Sequence, residues 1–171
     1  MEELKFPIGR FEPPGLNAGI KEKLEWIQVI EEFPSKLKTL TNGWTEEKWN
    51  QPYRPEGWTA LQLIHHVADS HSQAIGRIKM ALTENNPVIK PYHQDGWASL
   101  EDSKVPAFYA ISIIQGVHYK WSILLKSLNI EDWERTFFHP ENGKLYTISY
   151  ATALYAWHTS HHFAHLKGME K

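Results

Sequence analysis

The sequence predicts an all-α fold, a four-helix bundle, and three observations carry that expectation. Apolar residues recur at three- and four-residue spacing through four long stretches, the signature of helices with one buried face. The segments between them are punctuated by Pro, Gly and Asn, which break helices. The chain has 171 residues, 42% hydrophobic and 22% charged, the size and balance of one domain (1–171) with a sizeable core.

Residues 1–18 carry Pro7, Pro13 and Pro14 with turn signals at Gly9, Gly15 and Asn17, so they read as an extended arm. Phe6, Ile8 and Phe11 place that arm along the body or across to a second subunit. The first helix spans Ile20 to about Leu40, with Ile20, Leu24, Ile27, Ile30, Leu37 and Leu40 on one stripe. Pro34 inside it predicts a kink or a break. Thr45 starts a short helix to Trp49, and residues 51–58 form a loop. Thr59 caps the second helix, which runs to about Thr83 with Leu61, Ile64, Ala68, His71, Ile75, Ile78 and Leu82 along its stripe. Glu84 to Lys104 is a long crossover connection of the kind that forms lids. The third helix spans Val105 to about Asn129, with Phe108, Ile111, Ile114, Val117, Trp121, Leu124 and Leu128 spaced for burial. Asn142-Gly143 between two apolar runs predicts a small β-hairpin before the last helix. That last helix starts at Thr147 or Ser149 and runs almost to the end. Four helices with a long crossover between the second and third give a bundle.

Composition narrows the function. The formal net charge is −2 with scattered basic residues, which argues against nucleic acid as a partner. There is no cysteine, so disulfides, thiolate ligands and cysteine nucleophiles are excluded. The first residues lack the apolar core of a signal peptide, and no run approaches the roughly 18 apolar residues of a membrane span, so a cytoplasmic location is expected. Phosphate-binding glycine loops, Gly-x-Ser-x-Gly elbows and His-Glu-x-x-His are absent, which argues against nucleotide enzymes and serine hydrolases.

The chemistry concentrates in the last helix, where Trp157-His158-Thr159-Ser160-His161-His162-Phe163-Ala164-His165 holds four of the ten histidines. Residues four apart share a helix face, so His158 and His162 can both reach one cation. Both follow the apolar stripe of Ala151, Leu154 and Tyr155, while His161 is rotated toward an edge or solvent. A third ligand must come from elsewhere, and the second helix offers His65, His66 and His71. Periodicity alone favours His71, the nearest to its stripe centre, over His66 on the polar side. Asp69 and Ser70 are candidates to hydrogen-bond a ligand imidazole from behind. Arg54 and Trp157 are candidates to line a substrate cleft, although Arg54 also suits tying its loop down. His93, His118 and His139 stand alone and read as structural or surface residues. No glutamate beside the histidine pair offers itself as a general base, and the catalytic residues are not read.

Several segments together resemble the YfiT branch of the DinB-like proteins: Trp26-Ile27-Gln28-Val29, Pro52-Tyr53-Arg54, Gly57-Trp58-Thr59, His65-His66-Val67-Ala68-Asp69-Ser70-His71, Pro91-Tyr92, and Trp157-His158 through His165. The resemblance runs along nearly the whole chain. It implies a homodimeric four-helix bundle with one divalent ion held by His66, His158 and His162, and so overrides the periodicity argument for His71; with the His158/His162 spacing, one zinc or nickel ion per chain is expected. It also implies a metal-dependent hydrolase acting on a small molecule. Relatives that are thiol S-transferases imply the alternative, transfer of a low-molecular-weight thiol such as bacillithiol to an electrophile. A non-catalytic metal-binding stress protein is the third reading. After Pro91-Tyr92 this chain has His93-Gln94-Asp95, where such relatives often place an acidic residue directly after the tyrosine.

Overall fold

The computed structural model describes residues 2–15 and 18–170. Its elements in chain order are α1 (Glu2–Lys5), α2 (Ile20–Leu40), α3 (Glu46–Trp49), α4 (Ala60–Thr83), α5 (Gln94–Ala98), a 3-10 turn (Glu101–Lys104), α6 (Ala107–Lys126), α7 (Ile130–Glu134), β1 (Thr136–His139), β2 (Lys144–Thr147) and α8 (Ile148–Gly168).

Three of the long helices, α2, α4 and α8, start where their sequence signals place them. Thr59 accepts from the Gln62 amide while the Gln62 side chain returns to the Thr59 amide, a reciprocal cap on α4. Thr147 accepts from the Tyr150 amide and starts α8. Thr45 caps α3 in the same way. The hairpin pairs β1 and β2 antiparallel, with Phe137 opposite Tyr146, and Gly143 takes the positive φ its turn requires.

The long helices form a ring in which α2 and α4 each pack against both α6 and α8. Consecutive long helices α2 and α4 therefore sit on a diagonal, as do α6 and α8. The helices α4 and α8 run antiparallel: His66 near the start of α4 meets both His158 and His162, and His71 farther along meets His158. Two apolar clusters fill the bundle. One contains Ile27, Ile30, Ile75, Ile78, Trp121, Ile148 and Tyr155; the other contains Phe33, Leu37, Leu63, Ile64, Val67, Ile114 and Leu166. Between them, at mid-height, lies a layer of histidines supplied by α4, α6 and α8: His71, His118 and His162 are buried and His158 is half-buried.

Several expectations change. The arm is not wholly extended, because Glu2–Lys5 forms one helical turn. The turn expected at Asn17 lies outside the described residues. Pro34 does not break α2, which is continuous from Ile20 to Leu40. Proline has no N–H to give the carbonyl four residues earlier. Here that carbonyl, on Ile30, accepts from Nδ1 of His118 on α6 at 2.6 Å, so the lost backbone bond is replaced from a neighbouring helix. The crossover between α4 and α6 is partly structured by α5 and the 3-10 turn, both packed on α4. The third helix is shorter than expected, Ala107–Lys126, and α7 follows. Its buried face carries Ala107, Ala110, Ile114, His118, Trp121 and Leu125, while Phe108 is 70% exposed. Ile20 and Leu24 are likewise exposed, because α2 extends past the core at its start. Among the described residues no helix is long and apolar enough to cross a membrane.

Candidate metal centre

The spacing of α8 stacks the rings of His158 and His162 one turn apart, with centroids 4.4 Å apart. Nε2 of His162 lies 3.0 Å from Nε2 of His158. From α4, Nε2 of His66 lies 3.3 Å from the same nitrogen. Three imidazoles from two helices thus aim one nitrogen each at a common point.

The neighbouring histidines are engaged elsewhere. His65 bonds through Nε2 to the Val105 carbonyl at 2.9 Å and fastens α4 to the entry of α6. His71 is wholly buried, with Nε2 3.0 Å from Nδ1 of His158 and Nδ1 2.7 Å from Nε2 of His118. It backs the convergent group without joining it. His161 is buried, contrary to the expectation of an edge or solvent position, because its ring stacks on Trp157 at 4.5 Å and meets Phe6 of the arm. His118 is neither isolated nor at the surface. His93 caps α5 by accepting from the Gly96 amide at 2.7 Å. Ser70 lies beside the Tyr92 phenol, and the ionisable neighbours of Asp69 include Asp102 and His65.

Electrostatics keep the imidazoles neutral. Burial lowers His66 to about 4, with Asp95 opposing that shift. Burial also drives His158 and His162 well below the ordinary histidine value, and neighbouring histidines push the same way. Neutral imidazole is the form that binds a cation.

A divalent ion fits this donor set. Imidazole nitrogens about 2.0–2.1 Å from a tetrahedral ion lie about 3.4 Å from one another, close to the separations found here. Nitrogen lone pairs brought this near repel each other, and a cation among them reverses the sign of that interaction. Three protein ligands leave a fourth position for water or substrate. A second set, His161, His162 and His165, also brings its nitrogens together and shares His162 with the first. That set is closed: Tyr53 packs on the His165 ring at 4.2 Å, and His165 Nε2 is 3.2 Å from the Lys5 carbonyl.

The first set opens on a cavity of about 410 Å³, bounded by Arg54, Glu56, Trp58, Gln94, Asp95 and Trp157 among others. Arg54 and Trp157 both stand at this cleft. Arg54 also ties its loop, donating to the Pro55 carbonyl at 3.1 Å and to the Tyr53 hydroxyl at 3.3 Å. The turn is tight: a Cβ on Gly57 would stand 2.7 Å from the Arg54 side chain. Glu56 has a φ of 58°, a left-handed conformation that costs a non-glycine residue on the order of 1 kcal/mol. Of the acidic residues of this cleft, Glu56 was not singled out in the sequence, whereas Asp95 belongs to the His93-Gln94-Asp95 segment after Pro91-Tyr92, which brings Gln94 and Asp95 to the cleft wall.

Comparison with known proteins places the chain in context. A family model described as the DinB superfamily matches residues 30–166. A protein of Bacillus cereus strain B4264 named "Putative metal-dependent hydrolase" is 43% identical over 100% of this chain and 98% of its own length. A relative of the same name from Bacillus thuringiensis subsp. konkukian is 42% identical with the same coverage. The solved structure of YfiT from Bacillus subtilis, described as "a probable metal-dependent hydrolase with an unusual four-helix bundle topology", superposes with a TM-score of 0.94. It is 38% identical and covers 98% of this chain and 96% of its own.

Proposed function

We propose that this chain, which belongs to the DinB superfamily, is a metal-dependent hydrolase of a small molecule, with His66, His158 and His162 holding one zinc or nickel ion. The observation that carries the reading is the convergence of three neutral Nε2 atoms at the floor of an open cleft. A dication held there supplies Lewis acidity, polarising a carbonyl and making water acidic near neutral pH. The surrounding residues have distinct tasks. Asp95 and Glu56 are carboxylates that line the cleft, and either would serve as the proton acceptor for a water attacking there. Arg54 keeps guanidinium donors at the cleft wall and suits an anionic or carbonyl group of the substrate. Trp58 and Trp157 provide flat apolar walls that hold the rest of the substrate and limit water.

Transfer of a low-molecular-weight thiol is the competing reading and needs no base, because a thiol at such an ion is held as thiolate. The two carboxylates in the cleft favour hydrolysis. Exposed Phe108, Tyr119 and Ile123 on α6 support a homodimer. The test is turnover of an ester and amide panel beside a thiol-plus-electrophile panel, with chelation and zinc or nickel add-back. Metal-restored hydrolysis is expected; metal-restored thiol transfer alone would replace hydrolysis by the second reading, and neither would leave a binding protein.

A further inference from the structure

We propose that two buried histidine relays, anchored on the main-chain carbonyls of Ile30 and Lys5, fix the tautomers of His158 and His162 so that both present an Nε2 lone pair to the centre. The proposal rests on the reading that these residues are ligands, and makes His71, His118 and His165 positioning residues.

The first relay starts at a carbonyl, which can only accept. With Pro34 lacking an N–H, the Ile30 carbonyl has no helical donor from that position, and Nδ1 of His118 stands 2.6 Å away. His118 therefore carries its proton on Nδ1. Its Nε2 is then an acceptor, and Nδ1 of His71 must donate to it across 2.7 Å. His71 Nε2 is left to accept, so Nδ1 of His158 donates to it across 3.0 Å. With one proton per neutral ring, His158 Nε2 is bare. Each step is forced by the one before it, and the chain runs through rings packed between the two apolar clusters.

The second relay is shorter. His165 donates from Nε2 to the Lys5 carbonyl at 3.2 Å. Its Nδ1 is then an acceptor and faces Nδ1 of His162 at 3.4 Å. His162 donates there, and its Nε2 is bare as well. Both relays replace the carboxylate or carbonyl that ordinarily orients a metal-binding imidazole. Two consequences follow. The lone pair of His162 belongs to the set with His66 and His158, so His161, His162 and His165 do not form a second metal site. The anchor at Lys5 also makes the amino-terminal turn part of the site's support.

Long-range 15N–1H correlation spectra of the chelator-treated full chain, above pH 7.5, read each ring's protonated nitrogen. Protons on Nδ1 of His71, His118, His158 and His162, and on Nε2 of His165, are expected. A proton on Nε2 of His158 or His162 overturns the proposal. A paired substitution reads the same device through zinc affinity. His118→Met removes both ends of the link, whereas the amide of His118→Gln can donate to Ile30 and accept from His71. His118→Met is expected to weaken zinc binding by roughly 10–100-fold, and His118→Gln to restore most of the loss. Unchanged affinity in His118→Met, or equal loss in both folded variants, overturns it. If the wild-type chain binds no zinc, the metal reading falls, while the spectra still decide the relays.

Discussion

Acid should destabilise the metal-free chain well above the pH at which its carboxylates titrate. His66 and His118 are buried and lowered to about 4, chiefly by loss of solvent. In the unfolded chain they titrate near 6.5. Below that pH the unfolded state binds more protons, so stability is full above about 6.5 and falls as pH drops toward 4. Each group loses about 1.4 kcal/mol for every tenfold rise in proton concentration below 6.5, which is roughly 2 kcal/mol at pH 5 and roughly 3 at pH 4. The two together remove about 4 kcal/mol at pH 5, a large part of a typical 5–15 kcal/mol. With a urea slope of about 2 kcal/mol/M, the midpoint should fall by about 2 M between pH 7.5 and pH 5. His71, His158 and His162, lowered for the same reason, deepen the loss. The assay is urea unfolding followed by circular dichroism in chelator at pH 7.5, 6 and 5. A midpoint flat across that range would refute the account of a bundle held around neutral imidazoles.

Other outcomes are equally specific. His66→Ala, His158→Ala and His162→Ala should each abolish stoichiometric zinc by elemental analysis, while His65→Ala retains it. His71→Ala should keep zinc with weakened affinity and cost about 1–3 kcal/mol in urea unfolding, because His118 Nε2 and His158 Nδ1 lose their partner; complete loss of zinc there, with His66→Ala still loaded, would move the site to His71. Asp95→Asn should lower hydrolytic turnover by roughly 10²–10⁴-fold at unchanged zinc content if Asp95 takes the proton. Light scattering should give about twice the 19.9 kDa chain mass, and a particle of that single mass would remove the dimer.

The four helices and their caps were legible because they depend on local spacing: Thr59, Thr147 and Thr45 act within three residues of themselves. The pairing of His158 with His162 is local in the same sense. His66 was not legible from periodicity, because α4 is buried nearly all round. The helices α6 and α8 pack on it, and α5 and the 3-10 turn cover more of it, so its polar side at His66 faces a cleft and not solvent. Resemblance pointed to His66, whose Nε2 stands 3.3 Å from that of His158. His118 read as isolated because its partners lie 47 and 88 residues away in sequence, on two other helices. Pro34 read as a kink or a break, and the break does not occur where α6 supplies the donor that the Ile30 carbonyl lacks. Phe108 read as core because apolar character marks the exposed face of α6 as well as its buried one.

The most direct measurement is an anomalous difference map from crystals of the zinc-loaded protein. One peak per chain is expected, about 2.0–2.1 Å from Nε2 of His66, His158 and His162 and open toward the cleft bounded by Arg54 and Asp95. A peak held instead by His161 and His165, or no peak at full zinc occupancy in solution, would contradict the account.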